Sequence, residues 1–394
     1  MIFTSVLQSF NPSVIPMAGI YLHIPFCCKR CHYCDFFKST DFGAKYQMVA
    51  ALKRELTDRS GELKSDEIQT VYLGGGTPSV LQVNELGELL ETIRRNYQVS
   101  PEAEITMEAN PDDLSLSKLE SIRQLGYNRL SMGIQSFSEP DLRLMNRRHS
   151  VEQAICSVEW AKKAGFENIS IDLIYGLPNQ TPEEWERGVR QAVDLGVQHI
   201  SAYHLTYHEG TVFYEQLKKG MLKELPDDVS LQQFEILRTI LIEAGFEHYE
   251  ISNFCQPGFY SKHNSSYWKN EKYLGIGPSA HSFDLKTRRW NVSSVSGYLK
   301  GIETGESYFE TEILTEQDRY NDYIITGLRT VWGISETVIQ TQFSASYNLH
   351  FQKILQKYLA SGQVKKSSGM ISLKTEGLFV SDQIMADFMI VESC

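Results

Sequence analysis

The chain has 394 residues, enough at roughly 150 per domain for two or three domains or for one large barrel with an appendage. Hydrophobic residues make up 42% and charged residues 22%, which excludes a disordered chain. The 38 Lys and Arg against 49 Asp and Glu give a net charge of −11, which argues against bulk attraction to nucleic acid or an anionic membrane.

No apolar run approaches the roughly 18 residues of a membrane-spanning helix. Residues 1–16 lack the basic start and A-x-A site of a signal peptide, so a cytoplasmic protein with no transmembrane segment is expected. The seven cysteines are Cys27, Cys28, Cys31, Cys34, Cys156, Cys255 and Cys394, an odd number with four packed into a short stretch. A disulfide framework would spread them along the chain, so the cluster reads as metal-binding or catalytic.

In chain order, short β-like runs fall at 19–24 (GIYLHI), 70–74, 105–109, 129–133, 169–175 and 199–205. Helical patterns separate them at 45–58, 83–95, 117–125, 151–164 and 181–195, two of which open on the start signals Ser150 and Thr181-Pro182-Glu183-Glu184. Strands alternating with helices predict a parallel sheet with right-handed crossovers. The fold class is α/β, a partial (β/α)6 TIM-like barrel; a complete eight-stranded barrel is the alternative, but the rhythm changes after about residue 215. A helical run at 229–244 and a segment at 247–251 lead into an expected loop, 253–282, rich in aromatic and small residues. Helices follow at 316–331, 335–343 and 348–361, then a hairpin at 363–373 around Ser367-Ser368-Gly369. That order suggests a smaller, mostly helical winged-helix-like C-terminal domain. Its net charge of −1 over 315–394 is wrong for a DNA reader and favours a packing role.

The sharpest signal is the C-x3-C-x2-C triad of Cys27, Cys31 and Cys34 just past the first strand. Thiolates suit iron–sulfur clusters and zinc. A structural zinc site wants four ligands, commonly in two C-x2-C pairs, and no second pair exists downstream. Three cysteines would leave one iron of a four-iron cluster open to an exogenous chelating ligand. Cys28 or His32 is the alternative fourth ligand, although adjacency to Cys27 and Cys31 makes convergence hard. Gly74-Gly75-Gly76-Thr77-Pro78 follows the second strand. Such a run alone is a tight turn, but at a strand's carboxyl end it stands where βα barrels build their sites. Glu108, Gln135 and Asp172 are polar groups in apolar runs, each read either as internal barrel hydrogen bonding or as ligand-binding.

The segment Tyr21-Leu22-His23-Ile24-Pro25-Phe26-Cys27, the triad and Asp35-Phe36 resemble the signature of the radical SAM superfamily. More narrowly, they are similar to the branch that holds the oxygen-independent coproporphyrinogen III dehydrogenases and the HemW-type heme chaperones. The resemblance spans nearly the whole chain from about Gly19. It implies a [4Fe-4S] cluster on Cys27, Cys31 and Cys34, with S-adenosyl-L-methionine (SAM) chelating the open iron and cleavable to a 5′-deoxyadenosyl radical. It assigns SAM binding to Gly75, Gly76, Thr77, Glu108, Gln135, Arg147 and Asp172, with Tyr21 and Tyr33 near the adenine and Thr206 as a weaker carry-over.

Two features favour the chaperone type. The dehydrogenases carry a further cysteine two residues past the triad, where this chain has Phe36. His263-Asn264-Ser265-Ser266-Tyr267-Trp268 resembles the H-N-x-x-Y-W motif of the chaperones, which implies heme contact by His263, Tyr267 and Trp268; a solvated or structural histidine is the competing reading. The resemblance implies heme and a recipient hemoprotein as partners, with an electron donor where the cluster is reduced and no nucleic acid. The competing function is oxidative decarboxylation of coproporphyrinogen III, and a third is radical chemistry on an unrelated substrate. The expected organisation is a 1–16 extension ahead of an expected start at Met17, a 17–310 core barrel with the aromatic loop, and the 311–394 C-terminal domain.

Overall fold

The computed structural model describes residues 17–391; the expected 1–16 extension and Cys394 lie outside them. The strands are β1 (Met17–Ile24), β2 (Glu67–Gly75), β3 (Val99–Ala109), β4 (Arg129–Gln135), β5 (Asn168–Tyr175) and β6 (His199–His204), followed by β7 (Glu247–His248), β8 (Asn253–Cys255), β9 (Lys272–Ile276), β10 (His281–Phe283), β11 (Thr287–Asn291) and β12 (Phe309–Ile313). They form one sheet in the order β12-β11-β10-β9-β1-β2-β3-β4-β5-β6-β8-β7. Neighbours from β1 to β6 pair in parallel, as expected for a partial (β/α)6 barrel.

The crossover helices stand where periodicity placed them. The helix Val151–Lys163 begins with a reciprocal capping box between Ser150 and Gln153, and Pro182–Asp194 with one between Thr181 and Glu184 and proline in its first turn. Their apolar faces join a core that includes Ile20, Leu73, Met107, Leu130, Ile171 and Ile200, all fully buried. Strands covered on both faces read as continuous apolar runs, which is why these six are legible.

The segment 253–282 is not the expected loop. It contains β8, the helix Lys262–Trp268, β9 and the start of β10. β9 pairs in parallel with β1, so β1 is internal and the sheet continues through the antiparallel strands β10, β11 and β12. These strands are short and rich in polar, glycine and aromatic residues, and non-local pairing overrides their weak local preference. The helix Lys262–Trp268 has its first turn held by Ser261, whose Oγ accepts from Asn264 N, and by the Glu104 carboxylate, which accepts from the backbone of Lys262 and His263 at 3.1 Å each.

A second core gathers Tyr320, Ile324, Phe351, Leu355, Ile371 and Phe388. It is built by the helices Glu316–Leu328, Glu336–Gln342, Ala345–Ala360 and Ser381–Phe388 with a small sheet of β13 (Ile334–Ser335), β14 (Val364–Ser367) and β15 (Met370–Leu373), in the order β13-β15-β14. The hairpin turns at Ser368 and Gly369, both at positive φ. Among the described residues no helix is long and apolar enough to cross a membrane.

Candidate functional site

The segment after β1 returns on itself. Cys27 N donates to Ser39 O at 3.0 Å and Ser39 N to Pro25 O at 2.6 Å, closing a loop that carries all three triad cysteines. Its outer turn is fastened to the segment that follows β4. His32 N donates to Met145 O, His32 Nδ1 meets Leu144 O at 2.9 Å, and Asn146 Nδ2 donates to Arg30 O at 2.8 Å. Lys38 Nζ donates to the carbonyls of Cys34 and Phe36. His32 is thereby committed to structure, and Cys28 is exposed. All six described cysteines are free thiols.

Cys27, Cys31 and Cys34 line a cavity of about 430 Å³ at the carboxyl ends of the parallel strands. Burial pushes the Cys27 thiol up to about 11, with Thr77 Oγ1 at 3.3 Å from its sulfur. Such a thiol becomes a thiolate when a metal's charge offsets desolvation. Among the described residues no three His, Cys, Asp or Glu side chains converge as they would around a single metal ion. The thiol loop supplies three sulfurs, a donor set that suits an iron–sulfur cluster better than a mononuclear site.

Tyr33, Gly75, Gly76, Thr77, Gln135 and Thr206 line the same cavity, as do Glu108, Arg147 and Asp172. At the end of β3, Glu108 accepts from Tyr72 OH at 2.8 Å and Gly75 N at 3.2 Å, and burial raises its carboxyl to about 7. At mid-β5, burial raises Asp172 to about 6 against the hydroxyls of Ser201 and Ser131. Arg147 bridges three elements: Nη1 donates to Cys31 Sγ at 3.4 Å, and Nη2 to Asn110 Oδ1 at 2.6 Å and Gly133 O at 2.5 Å. Its Nε is buried and finds no partner among the described residues. Gln135 ends β4 at φ +70°, beside the register shift after Gly133, a strained conformation that suits a functional terminus. Two partly buried acids, an under-satisfied guanidinium and three thiols fit a ligand that carries both a cationic and a carboxylate group.

The glycine run serves chiefly to bring chain against chain. Gly75 has φ +102°, and a Cβ there would stand 2.6 Å from the His23 ring. A Cβ on Gly76 would stand 2.7 Å from Ile24 O and 2.8 Å from Phe26 O. Missing side chains therefore let β2 end against the segment leading into Cys27, while the glycine backbones border the cavity.

Four expected site residues lie elsewhere. Tyr21, Tyr267 and Trp268 line a second cavity of about 520 Å³, and Phe36 borders both. His263 lines neither. It is 1% exposed between Thr70 Oγ1, 2.7 Å from Nδ1, and Tyr267 OH, 2.7 Å from Nε2, and its ring stacks on Tyr72 with centroids 5.0 Å apart. Burial pulls its pKa down to about 3. Residues the sequence reading did not single out include Asn110, the Arg147 partner, and Arg129, a buried arginine at the start of β4 that lines the first cavity. A lone arginine in an apolar strand was the available signal for Arg129.

A family model described as the radical SAM superfamily matches residues 21–192, the span of the thiol loop and most of the parallel strands. The heme chaperone HemW of Bacillus subtilis is 35% identical over 376 residues, covering 95% of this chain and 99% of that protein. HemW of Lactococcus lactis is 34% identical over 94% of this chain and 97% of its own length. The solved structure of coproporphyrinogen III oxidase HemN from Escherichia coli, described as a radical SAM enzyme, superposes with a TM-score of 0.83 at 25% identity, over 95% of this chain and 90% of that one. The class is thus that of the radical SAM proteins. Within it, the chain belongs to the HemW family.

Proposed function

We propose that this protein is a heme chaperone that holds a [4Fe-4S] cluster and SAM and carries heme to a recipient hemoprotein. The observation that carries the cofactor part is the convergence of Cys27, Cys31 and Cys34 with Glu108, Arg147 and Asp172 on one cavity. The cysteines would bind three irons. Glu108, Asp172 and Arg147 would take the polar groups of SAM, with Gln135, Gly75, Gly76 and Thr77 along its length and Tyr33 and Thr206 at its edges. When bound, the cluster–SAM pair supplies one-electron reductive chemistry, for which an electron donor is the further partner. Burial of the two acids raises the benefit of a cationic group, because an unpaired carboxylate is costly there.

The heme part is supported by identity of 35% to a named heme chaperone along nearly the whole chain and by the aromatic second cavity. The likeness to the oxidase HemN keeps one competing reading, turnover of coproporphyrinogen III. The test incubates anaerobic, cluster-reconstituted protein with hemin and an apo-hemoprotein, and in parallel with coproporphyrinogen III, SAM and reductant beside an authentic dehydrogenase. Hemin transfer without turnover supports the chaperone. Turnover matching the control, or failure to bind or deliver hemin, overturns it.

A further inference from the structure

A buried arginine stands at the deep end of the first cavity. Arg129 opens β4, is 2% exposed, and reaches the cavity with its side chain. Gln135 ends the same strand at the rim, about 20 Å away at the usual rise of ~3.3 Å per residue. Ser131 on β4 and Ser201 on β6 line the cavity on either side of Asp172. The floor is therefore polar and narrow-chained, and it lies well below the residues assigned to the rim.

Arg59, nearly as deeply buried, shows what a structural guanidinium looks like here. It donates to Glu55, Glu62, the carbonyl of Gly275 and Ser282. Arg129 has no such set. Its one ion pair among the described residues is with Glu104, whose Oε2 lies 3.9 Å from Nε, too far for a hydrogen bond. Glu104 is itself engaged by the backbone N–H groups of Lys262 and His263. Arg129 Nε is buried and finds no hydrogen-bond partner among the described residues. Beside it, Thr106 pairs with Arg129 across the sheet, and its buried Oγ1 is likewise unmet among those residues. A buried cation costs free energy unless an acceptor meets it, and the open side of this one is the cavity.

We infer that the floor of the first cavity is a subsite for the carboxylate of a second small molecule, bound beside SAM, with Arg129 as its anchor. A guanidinium presents a fork that a carboxylate meets with two parallel N–H···O bonds. The surroundings select a monoanion. Glu104 is the ion-pair partner of Arg129, Glu108 and Asp172 line the same cavity, and a phosphate dianion would meet their repulsion. The hydroxyls of Ser131, Ser201 and Tyr203 line the cavity too and favour a polar ligand over a flat apolar one. Burial holds the Tyr203 phenol well above its usual pKa, so it stays a donor. The ligand class is a small, hydroxylated carboxylic acid. This rests on the SAM part of the reading above, which gives the rim, Arg147 included, to SAM; it is independent of heme carriage.

The experiment titrates full-length, cluster-reconstituted protein, with and without SAM, by saturation-transfer NMR. Lactate is the probe carboxylate and lactamide its neutral isostere. Expected is saturable lactate binding, with lactamide at least about tenfold weaker. R129K keeps the charge and loses the fork, so it should weaken lactate at least about tenfold while SAM affinity stays within about twofold of wild type. Wild type that binds neither probe, or both equally, overturns the subsite, and so does unchanged lactate binding in a folded R129K. Competition between lactate and SAM, or a loss of SAM affinity in R129K that matches the loss for lactate, puts Arg129 in the SAM site and overturns the second molecule. Wild type that prefers lactate but binds no SAM overturns the SAM reading and supports the carboxylate subsite by itself. Thermal unfolding of R129K separates a lost anchor from a lost fold, and the wild-type preference for lactate over lactamide decides the question where the variant does not fold.

Discussion

Arg147 donates from Nη1 to the sulfur of Cys31 at 3.4 Å, while its other terminal nitrogen holds Asn110 and the carbonyl of Gly133. One guanidinium thus locks the thiol loop onto the ends of β3 and β4. Lysine retains the charge but lacks the fork that reaches three acceptors. Arg147→Lys is therefore expected to lower SAM affinity of the reconstituted protein by about ten- to a hundredfold, measured by equilibrium binding. Wild-type affinity in this variant would remove Arg147 from the site.

Each of Cys27→Ala, Cys31→Ala and Cys34→Ala should abolish cluster assembly, read as iron and sulfide content after anaerobic reconstitution. Cys28→Ala should assemble the cluster as the wild type does, because Cys28 is exposed and does not border the cavity. A cluster lost with Cys28 and kept without one of the other three would redraw the ligand set.

Burial raises the Glu108 carboxyl from 4.5 to about 7. Between those values the native chain keeps a proton that the unfolded chain has released, so this group's contribution to stability falls as pH rises through the window. Glu108→Gln cannot titrate. Its stability relative to wild type should rise by about 2–3 kcal/mol from pH 4 to pH 7 in cofactor-free protein, measured by denaturant unfolding at several pH values. A difference that stays flat across that range would show that Glu108 is solvated.

Gly76→Ala would drive a methyl to 2.7 Å from Ile24 O and 2.8 Å from Phe26 O, both backbone atoms that cannot swing aside. The expected cost is about 1–3 kcal/mol of stability, with impaired cluster assembly, since the displaced segment leads directly into Cys27. Gly61→Ala, where a Cβ meets nothing within 4 Å, is the control and should leave cluster assembly unchanged. Normal assembly in Gly76→Ala would mean that the β2 end can relax.

The barrel was legible because its strands advertise themselves. Runs such as Ile20 to Ile24 and Ile169 to Ile174 are buried on both faces, and the helices between them carry their own caps at Ser150 and Thr181. β9 was not legible, because KYLGI is half-buried and gains strand form only by pairing with β1. The helix of the H-N-S-S-Y-W segment was hidden for a similar reason. Much of its start is held by Glu104, a residue more than 150 positions upstream.

Spacing alone placed a thiol cluster in the first cavity. Three thiols within one short loop must stand near one another, whatever the rest of the chain does. The six parallel strands alternating with helices followed from periodicity, and every parallel strand delivers its end to the same rim, but the roles of the polar groups there came from the resemblance to the family. What a histidine does was decided only in three dimensions. His263 and His281 are the same residue type in neighbouring polar-aromatic stretches, yet one is buried between two hydroxyls and the other opens into a cavity with its ring uncommitted. Hydrogen-bond partners come from distant parts of the chain, Thr70 on β2 among them, and no local pattern encodes a contact that only folding brings together.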